Sequence, residues 1–156
     1  MEEKLTDKEL EYYIKKFKRT RSERDLIGLI VVLKEVSVLV PIDTEQTINY
    51  SEIKEKQNRT FDIYPLEVYS TDKKSWFASF SKDSEISKEI KEKYTIINVP
   101  FIDLINDCFE HDDIDGITIN PLSDIHIHLE KNILEVVRTF WEQKKDFWAL
   151  VIPLKC

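Results

Sequence analysis

Asp124, His126 and His128 have the residue types and spacing of a metal site. Alternate residues of an extended strand project to one face, so two imidazoles and a carboxylate spaced by two gather on one side. Imidazole nitrogen and carboxylate oxygen are ordinary zinc ligands, and a zinc centre needs a third or fourth. His111 or Asp113, in the turn just upstream, would supply it. A metal so held could drive hydrolysis, which defines one enzyme alternative, a metal-dependent hydrolase on the His126/His128 face. Alternation also predicts a plain solvated polar face on a half-buried antiparallel hairpin. Ile125, Ile127 and Leu129 form the apolar counterpart that such a hairpin requires. We therefore assign no metal ligand and keep Asp124, His126 and His128 as candidates.

Other groupings are weaker. Cys108 and His111 stand three apart near a helix C-terminus, where the dipole raises a thiol pKa instead of lowering it. Cys108 reads as a small buried packing residue. His111, Asp113, Asp115 and Gly116 partly echo a calcium loop, but His111 stands where the loop needs an acid and Leu122 where it needs glutamate. Ser123, Asp124 and His126 hold the residue types of a triad within four positions, whereas a triad is assembled by tertiary structure. The chain has two glycines, Gly28 and Gly116, and so lacks the clustered glycines of phosphate-cradling or nucleophile-elbow motifs. No catalytic residue and no cofactor is assigned. Trp76, Trp141 and Trp148 read as core or interface anchors. The basic cluster Lys15–Arg24 reads as a solvated helix end within an acidic protein.

These side chains need elements to position them. Thr6 and Glu9 have capping-box spacing, followed by an apolar stripe of Leu10, Tyr13, Ile14 and Phe17. Ser22 caps a second helix reaching about Lys34, broadly apolar and so mostly buried. Val36–Ile42 is β-branched and reads as the first strand. The polar stretch from Asp43 to about Asn58 reads as a long loop. Ile63–Tyr69 and Ser75–Phe80 read as strands about a turn at Thr71–Lys74, with Pro65 placing the first at an edge. Ser84–Lys93 reads as a charged helix with Ile86 and Ile90 inward. A strand over Thr95–Val99 precedes a helix over Phe101–Phe109, which Pro100 opens. Gly116–Asn120 and Ile125–Leu129 then pair about an Asn-Pro turn. Glu130–Gln143 closes the fold as a helix with Ile133, Val137 and Phe140/Trp141 as its stripe. No internal repeat or low-complexity segment is visible.

The composition bounds the class. With 156 residues the chain suits one domain, and 42% apolar residues make it globular. A net charge of −7 disfavours nucleic acid and anionic lipid and suits a basic partner. Two cysteines, Cys108 and Cys156, read as free thiols in a reducing compartment. MEEKLTDKEL is charged throughout and does not read as a signal peptide, and no apolar run is long enough to span a membrane.

Four local strings, in order, resemble the N-terminal domain of the SseB family of bacterial proteins: LKEVSVLVPI, FASFSKDSEI, IINVPFIDLI and GITINPLSDIHIHLEKNILE. The resemblance spans about residues 10–137. It implies a fold and a bacterial cytosolic setting. The family has no agreed catalytic chemistry, so no active-site residue is carried over. The longer, more polar Asp43–Asn58 loop and the apolar Phe147–Leu154 segment depart from the family pattern.

The expected fold is α+β: a mixed, mostly antiparallel sheet of about five or six strands, with helices packed chiefly on one face. Residues 1–143 form an SseB N-terminal-like domain, and 144–156 an apolar tail that packs on it or on a partner. The expected role is a non-catalytic, cytoplasmic protein-interaction module binding a protein partner or forming a homodimer. Phe147, Trp148, Leu150 and Ile152 are its candidate interface. The alternatives are an immunity-type, toxin-neutralising protein and the hydrolase above.

Overall fold

The first apolar stripe of the sequence becomes the first helix. The computed structural model describes residues 7–43 and 65–140. In it α1 (Asp7–Thr20) buries Leu10 and Ile14 completely, with Tyr13 and Phe17 half-buried beside them. Helix α2 (Glu23–Leu33) starts where Ser22 Oγ accepts the Asp25 N–H at 3.1 Å, the N-cap role expected of serine. Its burial is more one-sided than its composition suggested. Leu29, Ile30 and Leu33 are buried, while Ile27 and Val31 are exposed.

Strand β1 (Ser37–Ile42) pairs antiparallel with β4 (Thr95–Pro100), placing Val38 opposite Val99. Four further strands, β2 (Glu67–Tyr69), β3 (Ser75–Ser79), β5 (Gly116–Ile119) and β6 (Ile127–Glu130), form a second sheet in the order β2-β3-β5-β6. β3 and β5 run parallel, and the other pairs are antiparallel. The architecture is therefore α+β with six strands among the described residues. They divide into sheets of two and four instead of forming one. The sheets meet where Leu39 and Phe80 exchange backbone hydrogen bonds of 2.9 and 2.8 Å, and again at an Ile42–Pro65 bridge. Pro65 leads into the edge strand, where its missing N–H breaks no interior ladder.

The stretch expected as one helix over Ser84–Lys93 is two pieces. A 3-10 turn at Asp83–Glu85 ends as Ile86 turns extended, and α3 (Lys88–Lys93) restarts with Ser87 Oγ accepting the Ile90 N–H at 3.3 Å. The break lets Ile86 bury itself beside Ala78 and Phe80. Helix α4 (Phe101–Phe109) follows β4 directly after Pro100. A last helix, α5 (residues 131–140), follows β6. Leu134 and Val137 carry its buried stripe, with Ile133 only half-buried and Phe140 exposed, which corrects the stripe expected there.

One large core joins α1, α2, α4, α5 and one face of the sheets. A small cluster of Ala78, Phe80 and Ile86 lies on the other face, under α3 and the 3-10 turn. Thr6, most of the Asp43–Asn58 loop, Trp141 and the whole 144–156 tail lie outside the described residues.

Candidate functional site

The β5–β6 hairpin sorts its side chains as alternation requires. Ile117, Ile119, Ile127 and Leu129 are buried in the main core. Thr118 pairs with His128 on the opposite face. The turn between the strands is set by Asn120, whose φ is +54°. Asparagine tolerates this left-handed conformation because its short amide bonds locally. Here the amide is fully buried and saturated. Oδ1 accepts the Ser81 N–H at 2.9 Å, and Nδ2 donates to Ser81 Oγ at 2.9 Å and to Ile125 O at 3.0 Å. Ser81 Oγ in turn donates to Glu11 Oε2 at 2.8 Å, and Lys82 pairs with Glu11 Oε1 at 3.3 Å. The turn is thus pinned to α1 and to the end of β3.

Beside this turn, the polar face of the four-stranded sheet opens into a cleft of about 1010 Å³. Leu66, Val68 and Phe80 line it from the β2–β3 region, and Ile86 and Ile90 from beneath α3. Trp76 is seated opposite Gly116 of β5. A Cβ on Gly116 would stand 2.1 Å from Leu129 O and 2.9 Å from the Trp76 ring, so this close approach admits only glycine. Trp76 Nε1–H donates to Ser70 Oγ at 3.0 Å, and the His128 ring stacks on the indole at 4.7 Å between centroids and 25°.

His126 lies edge-on to His128, with centroids 5.8 Å apart. Its Nδ1 is 2.7 Å from Ser123 O. A carbonyl only accepts, so Nδ1 carries the hydrogen and Nε2 is left as the ring's acceptor. Lys18 Nζ, 3.3 Å from the same Nδ1, therefore donates instead to Asp124 O, also at 3.3 Å. The His128 pKa is pushed below the ordinary 6.5. Loss of water on its Trp76-facing side is the main cause, with His126 and Lys18 adding and Asp72 opposing.

The ligand set of a metal hydrolase is not brought together here. His111 meets Phe77 edge-on at 5.3 Å, on the core side of the sheet and away from the cleft, and its Nδ1 is 2.9 Å from Asp107 O. Among the described residues no three His, Cys, Asp or Glu side chains stand close enough to hold an ion. Asp115 Oδ2 accepts the Ser75 N–H at 2.9 Å, clamping the upstream turn to β3. Ser123 Oγ accepts the Ile125 N–H at 3.0 Å, and it is the Ser123 carbonyl that His126 meets. Cys108 is fully buried, and that burial pushes its thiol pKa up to about 12, with Lys131 opposing and Asp107 and Asp115 adding. It is not a thiolate nucleophile at neutral pH. The Lys15–Arg24 cluster is dispersed: Lys16 pairs with Asp25 at 3.6 Å, and Arg21 covers the Phe17 ring.

Two cleft residues were not singled out in the sequence. Tyr69 is 71% exposed and Leu122 fully so. Leu122 has φ +72°, and of the four described non-glycine residues with positive φ (Arg21, Lys73, Asn120 and Leu122) it is the apolar one. The available signal was its position after Asn-Pro, inside a turn that Asn120 had already committed to left-handed geometry. The candidate interface residues Phe147, Trp148, Leu150 and Ile152 lie outside the described residues. No described helix is long and apolar enough to cross a membrane. No protein-family model, no curated protein and no solved structure matches this chain.

Proposed function

We propose that this chain is a non-catalytic protein-interaction module that receives a segment of its partner in the cleft beside the Asn120–Ser123 turn. The observation that carries this reading is Leu122. A left-handed conformation costs a residue with a Cβ roughly 1–2 kcal/mol, and the side chain it holds is wholly exposed. Neither feature benefits the isolated fold. Strain and apolar exposure at one residue are favourable only where something covers it, and Tyr69 offers a second exposed apolar contact from a separate element of the same cleft. The SseB resemblance supports the same reading, with a bacterial cytosolic setting and no transferred chemistry. The apolar tail, through Phe147, Trp148, Leu150 and Ile152, is proposed as a second contact, to the partner or to another copy.

Selection of a random peptide library displayed on phage tests the cleft. The expected result is enrichment of a sequence class by the wild-type protein that is lost with Leu122→Asn and with Tyr69→Ser. Enrichment that both variants retain would contradict the reading. Light scattering of the full chain and of a chain ending at residue 146 tests the tail. Association lost on truncation supports it, and a monomer in both cases removes it.

A further inference from the structure

We infer that the segment received by the cleft is basic: an extended stretch carrying Lys or Arg beside a large apolar side chain. This rests on the cleft being the partner site. Its floor is apolar, through Leu66, Val68, Phe80, Ile86 and Ile90. Among the described residues the carboxylates that line it are Glu85 and Asp124, and no Lys or Arg lines it. Among the described residues no cation is paired with either carboxylate, and three lysines of the surrounding elements are paired elsewhere. Lys82 holds Glu11, Lys91 holds Asp83, and Lys74 holds Glu130. Lys18 Nζ, 3.3 Å from His126 Nδ1, donates to the Asp124 backbone carbonyl and not to its carboxylate.

Hydrogen-bond bookkeeping points the same way. Three donors that border the cleft are spent inside the protein. Trp76 Nε1–H goes to Ser70 Oγ, the Ser70 hydroxyl goes to the Asp72 carboxylate, and the Tyr69 hydroxyl goes to Glu67 Oε2. The Glu85 and Asp124 carboxylates and, with Nδ1–H committed to Ser123 O, the Nε2 of His126 are acceptors in the cleft lining, beside the hydroxyls of Thr71, Ser84, Ser87 and Ser123. Ammonium and guanidinium groups are donors only, and so match these carboxylate and imidazole acceptors. An acidic segment would meet two carboxylates and, among the described lining residues, no Lys or Arg. The net charge of −7 would speed the approach of a basic partner and slow that of an acidic one.

The test is an NMR titration with two octapeptides, one alternating leucine and lysine, the other leucine and glutamate. Signals of the Trp76 indole N–H and the Val68 and Leu122 amides report the cleft, and the Ile117 and Ile119 amides report the fold. The lysine peptide is expected to move the cleft signals and bind at least about tenfold more tightly than the glutamate peptide, with the preference falling as salt is raised. The double variant Glu85→Lys with Asp124→Lys is expected to reverse the order while leaving the Ile117 and Ile119 signals in place. Equal binding of both peptides in the cleft overturns the basic-segment inference and leaves the cleft reading standing. No movement with either peptide, together with a phage selection indifferent to Leu122→Asn, overturns both.

Discussion

The two faces of the β5–β6 hairpin are made from alternate residues of the same two strands, yet they follow opposite rules. On one face Ile117, Ile119, Ile127 and Leu129 are packed by helices contributed from most of the chain, with little left exposed. On the other, Trp76 is pressed between Gly116 and His128, and among the described residues one short helix and a 3-10 turn lie over part of the sheet. The core face spends its apolar area on its own stability. The cleft face keeps Tyr69 and Leu122 in water and commits the Tyr69 and Trp76 donors internally, the pattern on which the proposed partner site rests.

The contrast can be broken first at the core. Ile119→Ala is expected to lower unfolding free energy by about 2–4 kcal/mol in chemical denaturation, because the side chain is fully buried and leaves a cavity. His128→Ala, next to Ile119's cross-strand partner Ile127 but on the other face, is expected to cost less than about 1 kcal/mol. Similar losses would mean that the faces are not differently built.

Asn120→Ala comes next, at about 2 kcal/mol by the same measurement. It removes three hydrogen bonds of a fully buried amide and leaves alanine in a left-handed conformation. Because the turn carries Leu122, this variant should also weaken capture of cleft-binding peptides. Asn120→Gly, which accepts the positive φ but lacks the amide, separates the two contributions.

A smaller effect depends on pH. The His128 pKa is lower in the folded protein than its ordinary 6.5, so the unfolded chain takes up the proton more readily. Its contribution to stability is present above pH 6.5 and is lost as pH falls through 6.5 toward the folded value. The groups acting on the ring are His126, Lys18, Asp72 and the Trp76 face. Denaturation midpoints measured from pH 7.5 downward, values chosen to bracket roughly one unit either side of the histidine range, should decline less steeply in His128→Gln than in the wild type. Parallel curves would contradict the stacked, partly desolvated placement of the ring.

Much of the hairpin was legible in the sequence, because period-two alternation encodes which face is buried without knowing what buries it. Ile127 and Leu129 were read to one side and His126 and His128 to the other, and the structure buries the first pair in the core and sets the second in the cleft lining. Ser22 as a cap, Pro65 at an edge strand and Pro100 at a helix start were legible for a similar reason, since each is a local steric or hydrogen-bonding preference. What could not be read depends on contacts between segments distant in the chain. That Trp76 would rest on Gly116 is set by the parallel β3–β5 register, between residues forty positions apart in the chain. That His111 would face the core away from His126 and His128 depends on how α4 returns to the sheet. The split of Ser84–Lys93 at Ile86 follows from the site that Ala78 and Phe80 create for that side chain, which local helix propensity does not see. Leu122 was passed over because sequence patterns place Gly or Asn at positive φ, and an apolar residue there runs against the preference that makes turns readable.

The central claim, that the cleft face is shaped for a partner and not for the fold, is tested most directly at Leu122→Asn. Asparagine accepts the left-handed turn and water more readily than leucine. Paired measurements of unfolding free energy and affinity for a peptide selected on the wild-type protein should therefore move in opposite directions. Stability is expected to rise by about 0.5 kcal/mol, and affinity to fall at least about tenfold. A variant that loses stability while binding the peptide as well as before would place Leu122 in the service of the fold and contradict the account.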